Sequence, residues 1–316
     1  MMVSLTAAVC LLSVMPTGTS AENLAERLGY PSDARLLIIH ADDVGMCHSV
    51  NEATMKALEA GIVTSGSIMV PCPWFPEIAA YCREHPQLDL GIHVTLTSEW
   101  KYYRWRPASP MDQVPGLVDE EGYLWRSVED VVKHASPEEV EREIRAQIRR
   151  AIDFGIKPTH IDTHMGTVYA SPHFFKAYCK VAEEFGIPPM ILSPNSDIAR
   201  RRAGEPVIAS IFGMLRSLNL RFPMLDDLVT GVATTEIERR REEYKEVIRN
   251  LKPGVTQVIL HLGLDRPEMR AITSSWLARY NDFLIFTDEE MRRFIEEQGV
   301  KLIGWKEIKA LGHPGR

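Results

Sequence analysis

The sequence predicts an α/β fold, namely an irregular (β/α) barrel of about seven parallel strands that is TIM-barrel-like. Short apolar segments alternate with helical patterns from Arg35 to the end of the chain, and strands separated by helices form parallel sheets. The 316 residues match one such barrel with insertions, and 45% hydrophobic residues are enough for its core. A doubly wound open sheet satisfies the same alternation and is the alternative.

Seven segments have the character of buried parallel strands, because they are short, apolar and bounded by turn residues. In chain order they are residues 35–41, 67–70, 88–96, 158–162, 190–193, 255–262 and 300–305. The chain contains no internal repeat, so we expect a single domain over residues 22–316.

Helices are predicted between these strands from their start and stop residues. Ser136 with Glu139, and Thr287 with Glu290, match the capping box, in which two side chains satisfy free amide groups at a helix start. Further helices are expected over residues 50–61, 74–84, 171–186 and 234–251. Residues 97–133 carry no clear element, and a stretch of that length in a compact domain is usually functional or a small subdomain.

The first 21 residues differ in composition from the rest. They contain no charged residue, and an apolar stretch is followed by small residues up to Ala21, which is typical of a secretory signal peptide. An alternative translation start or an unstructured tail also fits, because the segment lacks the usual Lys or Arg. We expect a secreted or periplasmic protein, and no later segment is a candidate transmembrane helix.

The charge balance narrows the class of partner. The net charge is −7, whereas sequence-independent nucleic-acid binding needs clustered Lys and Arg. A nucleic-acid partner is therefore not expected. The sequence does not identify a protein interface, so it neither predicts nor excludes a homo-oligomer.

Ionisable residues gather where four of the predicted strands end. Together they are Asp42, Asp43, His93, His160, Asp162, His164 and His261. The carboxyl ends of the strands in a (β/α) barrel meet at one face, where active sites lie. We therefore expect these side chains to converge.

The residue types in this set indicate a metal site. His160, Asp162 and His164 share one face of an extended strand, so two of them can reach one ion, or Asp162 can instead orient an imidazole from behind. The adjacent Asp42 and Asp43 repel each other unless a cation or a shared proton relieves them, although such a pair can also cap the next helix.

A site of two histidines and one aspartate suits Zn²⁺ or another borderline divalent ion, and more carboxylates favour Mg²⁺. Such an ion acidifies water and polarises a carbonyl group. A neighbouring carboxylate then accepts a proton, and a separate histidine protonates the leaving group.

Aromatic residues are concentrated between residues 99 and 106. Trp100, Tyr103 and Trp105 are candidate substrate-binding residues, because aromatic faces stack on the apolar face of a sugar ring. The alternative is that they fill the core of a packed lid.

These motifs resemble a known family. The segments LLIIHADDVG, LDLGIHVTL, KPTHIDTHMG and VILHLG are similar to the YdjC-like carbohydrate deacetylases of the chitooligosaccharide deacetylase type. The resemblance implies an irregular (β/α) barrel that hydrolyses the acetyl amide of an N-acetylated saccharide. It also implies one divalent metal ion, Mg²⁺ or Zn²⁺, with Asp43, His93 and His164 as its ligands.

The resemblance assigns roles to the other residues as well. It implies that Asp42 is the catalytic base and that His261 is the acid that protonates the departing amine. His160 and Asp162 would then support the ligands from behind.

The sequence departs from the family at three places. Met165-Gly166-Thr167 stands where the family often has further histidines that line the pocket, a difference that bears on substrate specificity. Leu262 follows His261 where the family often has proline, and His40 replaces a more usual asparagine.

Two other functions fit the same residues. The first is another metal hydrolase on the same barrel, either an O-acetyl esterase or a phosphoesterase. The esterase fits because hydrolysis of an O-acetyl group and of an N-acetyl group pass through the same kind of tetrahedral transition state. A non-catalytic carbohydrate-binding barrel is the other, against which the intact Asp42, Asp43, His93 and His164 argue.

Overall fold

Residues 23–312, apart from 219 and 221, are described by a computed structural model of the chain. The signal peptide predicted over residues 1–21 lies outside these residues and stays a prediction. No helix in the described part of the chain is long and apolar enough to cross a bilayer.

One parallel sheet organises the fold. Its strands are β1 (Arg35–Val44), β2 (Ser65–Ile68), β3 (Leu90–Val94), β4 (Ile161–Thr163), β5 (Asp227–Val229), β6 (Gly254–His261) and β7 (Lys301–Leu302). The strands pair in the order β4-β3-β2-β1-β6-β5, and the short β7 pairs with the N-terminal part of β1. The central strand β1 is therefore hydrogen-bonded on both sides and buried along nearly its whole length.

The six-stranded path curls into a half-barrel, which confirms a barrel-like α/β fold. A closed ring of seven strands is wrong. Among the described residues, the strand expected at residues 190–193 makes one isolated bridge, from Leu192 to Leu225. Pro188, Pro189 and Pro194 flank this segment, and because proline has no amide hydrogen it cannot extend a ladder. The sequence does not predict the short strand β5.

Helices surround the sheet. They are α1 (Leu24–Arg27), α2 (His48–Ala60), α3 (Phe75–Glu84), α4 (Val128–His134), α5 (Pro137–Asp153), α6 (Pro172–Phe185), α7 (Asp197–Arg202), α8 (Pro206–Leu215), α9 (Ile237–Arg249), α10 (Pro267–Ile272), α11 (Trp276–Phe286), α12 (Glu289–Glu297) and α13 (Trp305–Leu311). The sequence predicts neither the pair α7 and α8 nor the pair α10 and α11. Residues 97–133 are largely irregular, as expected, with two short 3₁₀ turns before α4.

The helix caps partly follow the sequence pattern. Ser136 and Glu139 form the predicted capping box at the start of α5. Helix α12 is capped by Asp288 instead of Thr287, and α9, expected from residue 234, is capped by Glu236. In each case a carboxylate one or two residues further along the chain accepts hydrogen bonds from the free amide groups. A negative charge is stabilised at the N-terminus of a helix, which favours the carboxylate over the threonine hydroxyl.

Alternation along β1 links the core to the functional residues. Leu37 and Ile39 belong to the larger apolar cluster beneath the helices, whereas Leu36 and Ile38 belong to a second cluster that includes Trp305. Side chains two residues apart share a face, so the row of Leu36 and Ile38 continues into His40 and then Asp42. The inward face of β1 thus changes from apolar to ionisable towards its carboxyl end.

Candidate active site

The carboxyl edge of the sheet brings most of the predicted ionisable residues together. Strand register places Asp42 of β1 opposite His261 of β6, and His93 of β3 opposite Asp162 of β4. His164 follows β4 directly. The convergence expected from the strand ends is therefore present.

Three buried side chains offer ligand atoms to one point. Nδ1 of His164 lies 3.1 Å from Oδ1 of Asp43 and 3.3 Å from Nε2 of His93. Nε2 of His93 lies 3.5 Å from the same Asp43 oxygen. Ligands of a four-coordinate zinc ion are about 3.4 Å apart, so the spacing fits a divalent ion.

The hydrogen bonding of Asp43 supports the same conclusion. Among the described residues, its buried Oδ1 has no hydrogen-bond partner. A buried carboxylate oxygen without a donor or a cation is costly. An ion held by Asp43, His93 and His164 removes that cost, so the residues present fit the metal that the resemblance implies.

Carboxylates fix the orientation of both imidazoles. Nδ1 of His93 lies 2.7 Å from Oδ1 of Asp162, which leaves Nε2 to face Asp43. Nε2 of His164 lies 3.1 Å from both oxygens of Glu99, which leaves Nδ1 to face Asp43. A carboxylate behind a metal-binding histidine sets its tautomer and raises its basicity. Asp162 occupies the position expected of it, and the sequence does not reveal Glu99 because it lies in a loop without a periodic pattern.

Arg279 is a second residue that the sequence does not reveal. Its Nη2 donates to Oδ2 of Asp43 over 2.6 Å, so the two oxygens of that carboxylate face different partners. Burial alone would raise the pKa of Asp43, but the Arg279 guanidinium and the two histidines hold it well below its usual range. Asp43 also has a positive φ of 63°, a strained conformation that its partners must stabilise.

His40 takes the position expected of His160. Its Nε2 lies 3.1 Å from Asp162, 3.2 Å from Asp42 and 3.2 Å from the hydroxyl of Ser67. Burial alone would lower the pKa of His40, but the two carboxylates raise it to about 9. His40 is therefore cationic at neutral pH and lies between the two aspartates.

His160, which the sequence predicts to support the ligands from behind, packs against His40 and Trp305. Its ring stacks on Trp305 with centroids 4.8 Å apart and meets His40 edge-on at 5.0 Å. Burial, with the charge of His40, lowers its pKa well below the usual value. The position of His160 follows from the strand period, because it lies two residues before Asp162 and so one layer deeper in the barrel.

The site has an excess of negative charge. Four carboxylates, those of Asp42, Asp43, Glu99 and Asp162, are close to only two fixed cations, His40 and Arg279. Burial alone would lower the pKa of His164, but Glu99 and Asp43 raise it to about 9. Without an ion the protonated His164 offsets part of this negative charge, and a divalent ion bound by neutral imidazoles would offset it instead.

His261 lies at the edge of this cluster. Its Nε2 is 4.0 Å from Oδ2 of Asp43, and its side chain is 41% exposed. Desolvation in the cleft outweighs the attraction of Asp43 and lowers the pKa of His261. A cavity of about 380 Å³ opens beside Asp42, His93, His164 and His261 and extends towards α7 and α8.

The aromatic residues 100–105 are mostly packed. Trp105 is only 2% exposed and donates from Nε1 to the carbonyl of Thr97, so its proposed stacking on a sugar is wrong. The hydroxyl of Tyr103 donates to the carbonyl of Met46. Trp100 is half-buried and lies 5.9 Å from the Arg279 guanidinium, which leaves it as the aromatic residue beside the site.

Comparison with known proteins identifies the family. The model of the family described as YdjC-like protein matches residues 36–297. The carbohydrate deacetylase of Thermus thermophilus is 33% identical over 275 residues, which cover 87% of this chain and 94% of that protein. The carbohydrate deacetylase of Brevibacillus brevis is 40% identical over 153 residues, which cover 48% of this chain and 57% of that protein.

A solved structure from Enterococcus faecalis, provisionally described as a cellobiose-phosphate cleavage protein, has the same fold. The TM-score is 0.72 at 23% identity, over 86% of this chain and 98% of that one. The family model and the Thermus thermophilus relative confirm the sequence resemblance, and this chain belongs to the YdjC-like family.

Proposed function

We propose that this protein is a metal-dependent hydrolase that removes N-acetyl groups from an N-acetylated saccharide. Relatives named carbohydrate deacetylases support the reaction class. The observation that carries the proposal is the buried oxygen of Asp43, which lacks a hydrogen bond and faces two imidazole nitrogens.

Three atoms are the proposed ligands of one ion, Zn²⁺ or Mg²⁺: Oδ1 of Asp43, Nε2 of His93 and Nδ1 of His164. When bound, a divalent ion here supplies Lewis-acid chemistry, since it polarises an acetyl carbonyl and lowers the pKa of water. Two of the three ligand atoms are imidazole nitrogens, which favours Zn²⁺ over Mg²⁺.

Asp42 is the proposed base. Its Oδ1 is held by His40 at 3.2 Å and by the Ser67 hydroxyl at 3.5 Å, so Oδ2 is the oxygen available to the cavity. That Oδ2 lies 3.9 Å from Nε2 of His93, close enough to accept a proton from a water that attacks beside the ligands. His40 holds Oδ1 in place and so orients the carboxylate with Oδ2 towards the cavity.

His261 is the proposed acid for the departing amine. It lines the cavity on the other side of Asp43 from the two ligand histidines, and its exposed edge can reach a substrate. Desolvation in the cleft disfavours the charged imidazole and lowers the pKa of His261. The protonated form is correspondingly a stronger acid, which suits donation to a poor amine leaving group.

An acetate-release assay paired with elemental analysis tests this function. The substrates are short N-acetylglucosamine oligomers and an O-acetylated sugar, each with and without a chelator. We expect about one equivalent of a divalent ion and chelator-sensitive acetate from the N-acetylated sugars. Acetate from the O-acetylated sugar alone would make the protein an esterase, and purified protein that binds no ion would refute the metal site.

A further inference from the structure

The cavity beside the proposed ligands is far larger than an acetyl group requires. It measures about 380 Å³, whereas one water occupies about 30 Å³ of liquid, and an acetyl methyl group is little larger than a water. The acetyl group alone would therefore leave most of the cavity unused. A space of this size is typical of pockets that bury most of a drug-sized ligand.

The far wall of the cavity is apolar. It is formed by side chains from the irregular segment between α6 and α7, from α7 and α8 themselves, and from β5, among them Met190, Leu192, Ile198, Ile208, Ile211 and Leu228. Ile208 and Ile211 are spaced for one face of α8, and that face is turned towards the cavity.

Such a wall does not suit a sugar. A pyranose ring carries several hydroxyl groups, and a hydroxyl buried without a partner is costly. Beyond the proposed catalytic residues, the polar side chains on the lining are few, with Arg202 and Thr230 the main ones. Glu99, Trp100 and Arg279 surround the ligands without lining this cavity, and they offer the charged and aromatic groups that sugar recognition uses.

The mouth of the cavity is apolar too. Met165 lines it, is 57% exposed and adopts a positive φ of 55°. Methionine is a flexible apolar side chain that adapts to irregular apolar ligands. A methionine held in a left-handed conformation beside His164 presents this surface at the point where the cavity meets the metal ligands.

From this wall and mouth we infer that the site also accepts and removes acyl groups longer than acetyl. The saccharide lies on the side of Glu99 and Trp100, the scissile carbonyl lies at the ligands, and an acyl chain of roughly four to eight carbons extends into the apolar cavity. This inference rests on the proposed amide hydrolysis and specifies its substrate as an N-acylated amino sugar. Water adds to the carbonyl carbon, the C–N bond breaks, and a fatty acid and a free amine are released.

A series of N-acyl glucosamines tests the inference with the full chain and its bound ion. The acyl groups are acetyl, butanoyl, hexanoyl and octanoyl, and the readout is the released amine. We expect kcat/KM to rise about fourfold with each added CH₂ that the cavity buries. A rate that is highest for acetyl and falls with every added carbon would overturn the inference while leaving the deacetylase function intact.

An alkyl glycoside of N-acetylglucosamine tests whether the cavity instead holds an aglycone, the group attached to the anomeric oxygen of the sugar. If an octyl group at the anomeric oxygen accelerates acetyl release but longer acyl groups do not, the cavity holds an aglycone and the acyl inference is wrong. If no substrate in either series releases amine, the proposed hydrolysis itself fails. A binding experiment then still decides whether the cavity accepts an acyl chain.

That binding experiment needs no turnover. Octanoate should raise the thermal midpoint of the protein more than acetate does, because both carboxylates reach the ligands but only octanoate fills the cavity. Ile211→Trp should remove the difference and lower the hexanoyl-to-acetyl ratio of kcat/KM at least tenfold. Ile208→Phe is a milder second variant in case the first folds poorly.

Val207→Trp is the matched control, because Val207 is a half-buried residue of the same helix that does not line the cavity. It should keep both the octanoate effect and the hexanoyl-to-acetyl ratio. Equal effects of octanoate and acetate on the unmodified protein would show that the cavity does not hold an acyl chain.

Discussion

Arg279 and Asp43 form a buried ion pair of 2.6 Å across 236 positions of the sequence. The pair divides the Asp43 carboxylate between two tasks, because Oδ2 accepts from the guanidinium while Oδ1 faces the two imidazoles. Helix α11 therefore helps to orient a side chain that strand β1 supplies.

Arg279→Met should weaken the metal site without removing a ligand. Residues that orient a metal ligand from behind typically contribute about 10- to 100-fold to metal affinity or activity, and we expect kcat/KM and ion affinity to fall by that much together. Arg270→Met is the matched control, since Arg270 pairs with Asp265 at the surface. Unchanged ion affinity in the Arg279 variant would mean that the ion pair only stabilises the fold.

The two neighbouring aspartates should separate metal binding from turnover. Asp43→Ala removes a ligand, so ion content and activity should be lost together. Asp42→Asn keeps the shape of the side chain but removes the proposed base, so the ion should stay and kcat should fall by about 10²- to 10⁴-fold. Elemental analysis and acetate release on both variants provide the check, and near-full activity in Asp42→Asn would contradict the base assignment.

The sequence anticipates those parts of the site that lie on strand ends. Asp42, Asp43, His93 and His164 are recognisable because each follows or ends an apolar segment, and the topology of a parallel sheet then brings them together. Glu99 and Arg279 lie on a loop and on a helix that no pattern predicts. Their contacts join residues that are far apart in the chain, so no local sequence pattern predicts them.

The same reasoning explains the errors in the fold. Residues 190–193 are as apolar as a buried strand, but the flanking prolines remove the amide groups that a ladder needs. The short strand β5 has one buried and two half-buried residues, too few to give a periodic signal. Trp105 is buried instead of lying at a sugar-binding surface, because composition alone cannot distinguish an exposed aromatic residue from one that fills a loop core.

The pKa of His40 predicts a pH dependence of stability. Its value is about 9 in the folded chain against 6.5 in an unfolded one. The folded state therefore binds the proton more tightly, and this contribution is complete below pH 6.5 and lost as the pH rises through 9. In chelator, the free energy of unfolding should fall by roughly 2 kcal/mol more in the natural chain than in His40→Asn between about pH 6.5 and 9.5.

Comparing these two chains isolates His40, because other histidines that titrate in chelator are common to both. Denaturant titrations at several pH values supply the measurement. Parallel pH profiles for the two chains would show that His40 does not carry a proton between Asp42 and Asp162.

Gly91 is required by the close packing inside the barrel. A Cβ atom built on Gly91 would lie 2.5 Å from the carbonyl oxygen and 2.5 Å from Cε1 of His160, and the backbone of β4 cannot move away without breaking its pairing with β3. Gly91→Ala should therefore destabilise the fold by about 1–3 kcal/mol, the usual range for overpacking a core.

Gly213 provides the comparison, because a Cβ there meets nothing within 4 Å and the residue lies within helix α8. Gly213→Ala should be neutral or stabilise the protein by up to about 1 kcal/mol, since alanine favours a helix over glycine. Thermal or denaturant unfolding of both variants measures the contrast. If Gly91→Ala unfolds at the same midpoint as the natural chain, β3 and His160 are not packed as closely as the structure shows, and the layer that carries His40 and Asp162 must be arranged differently.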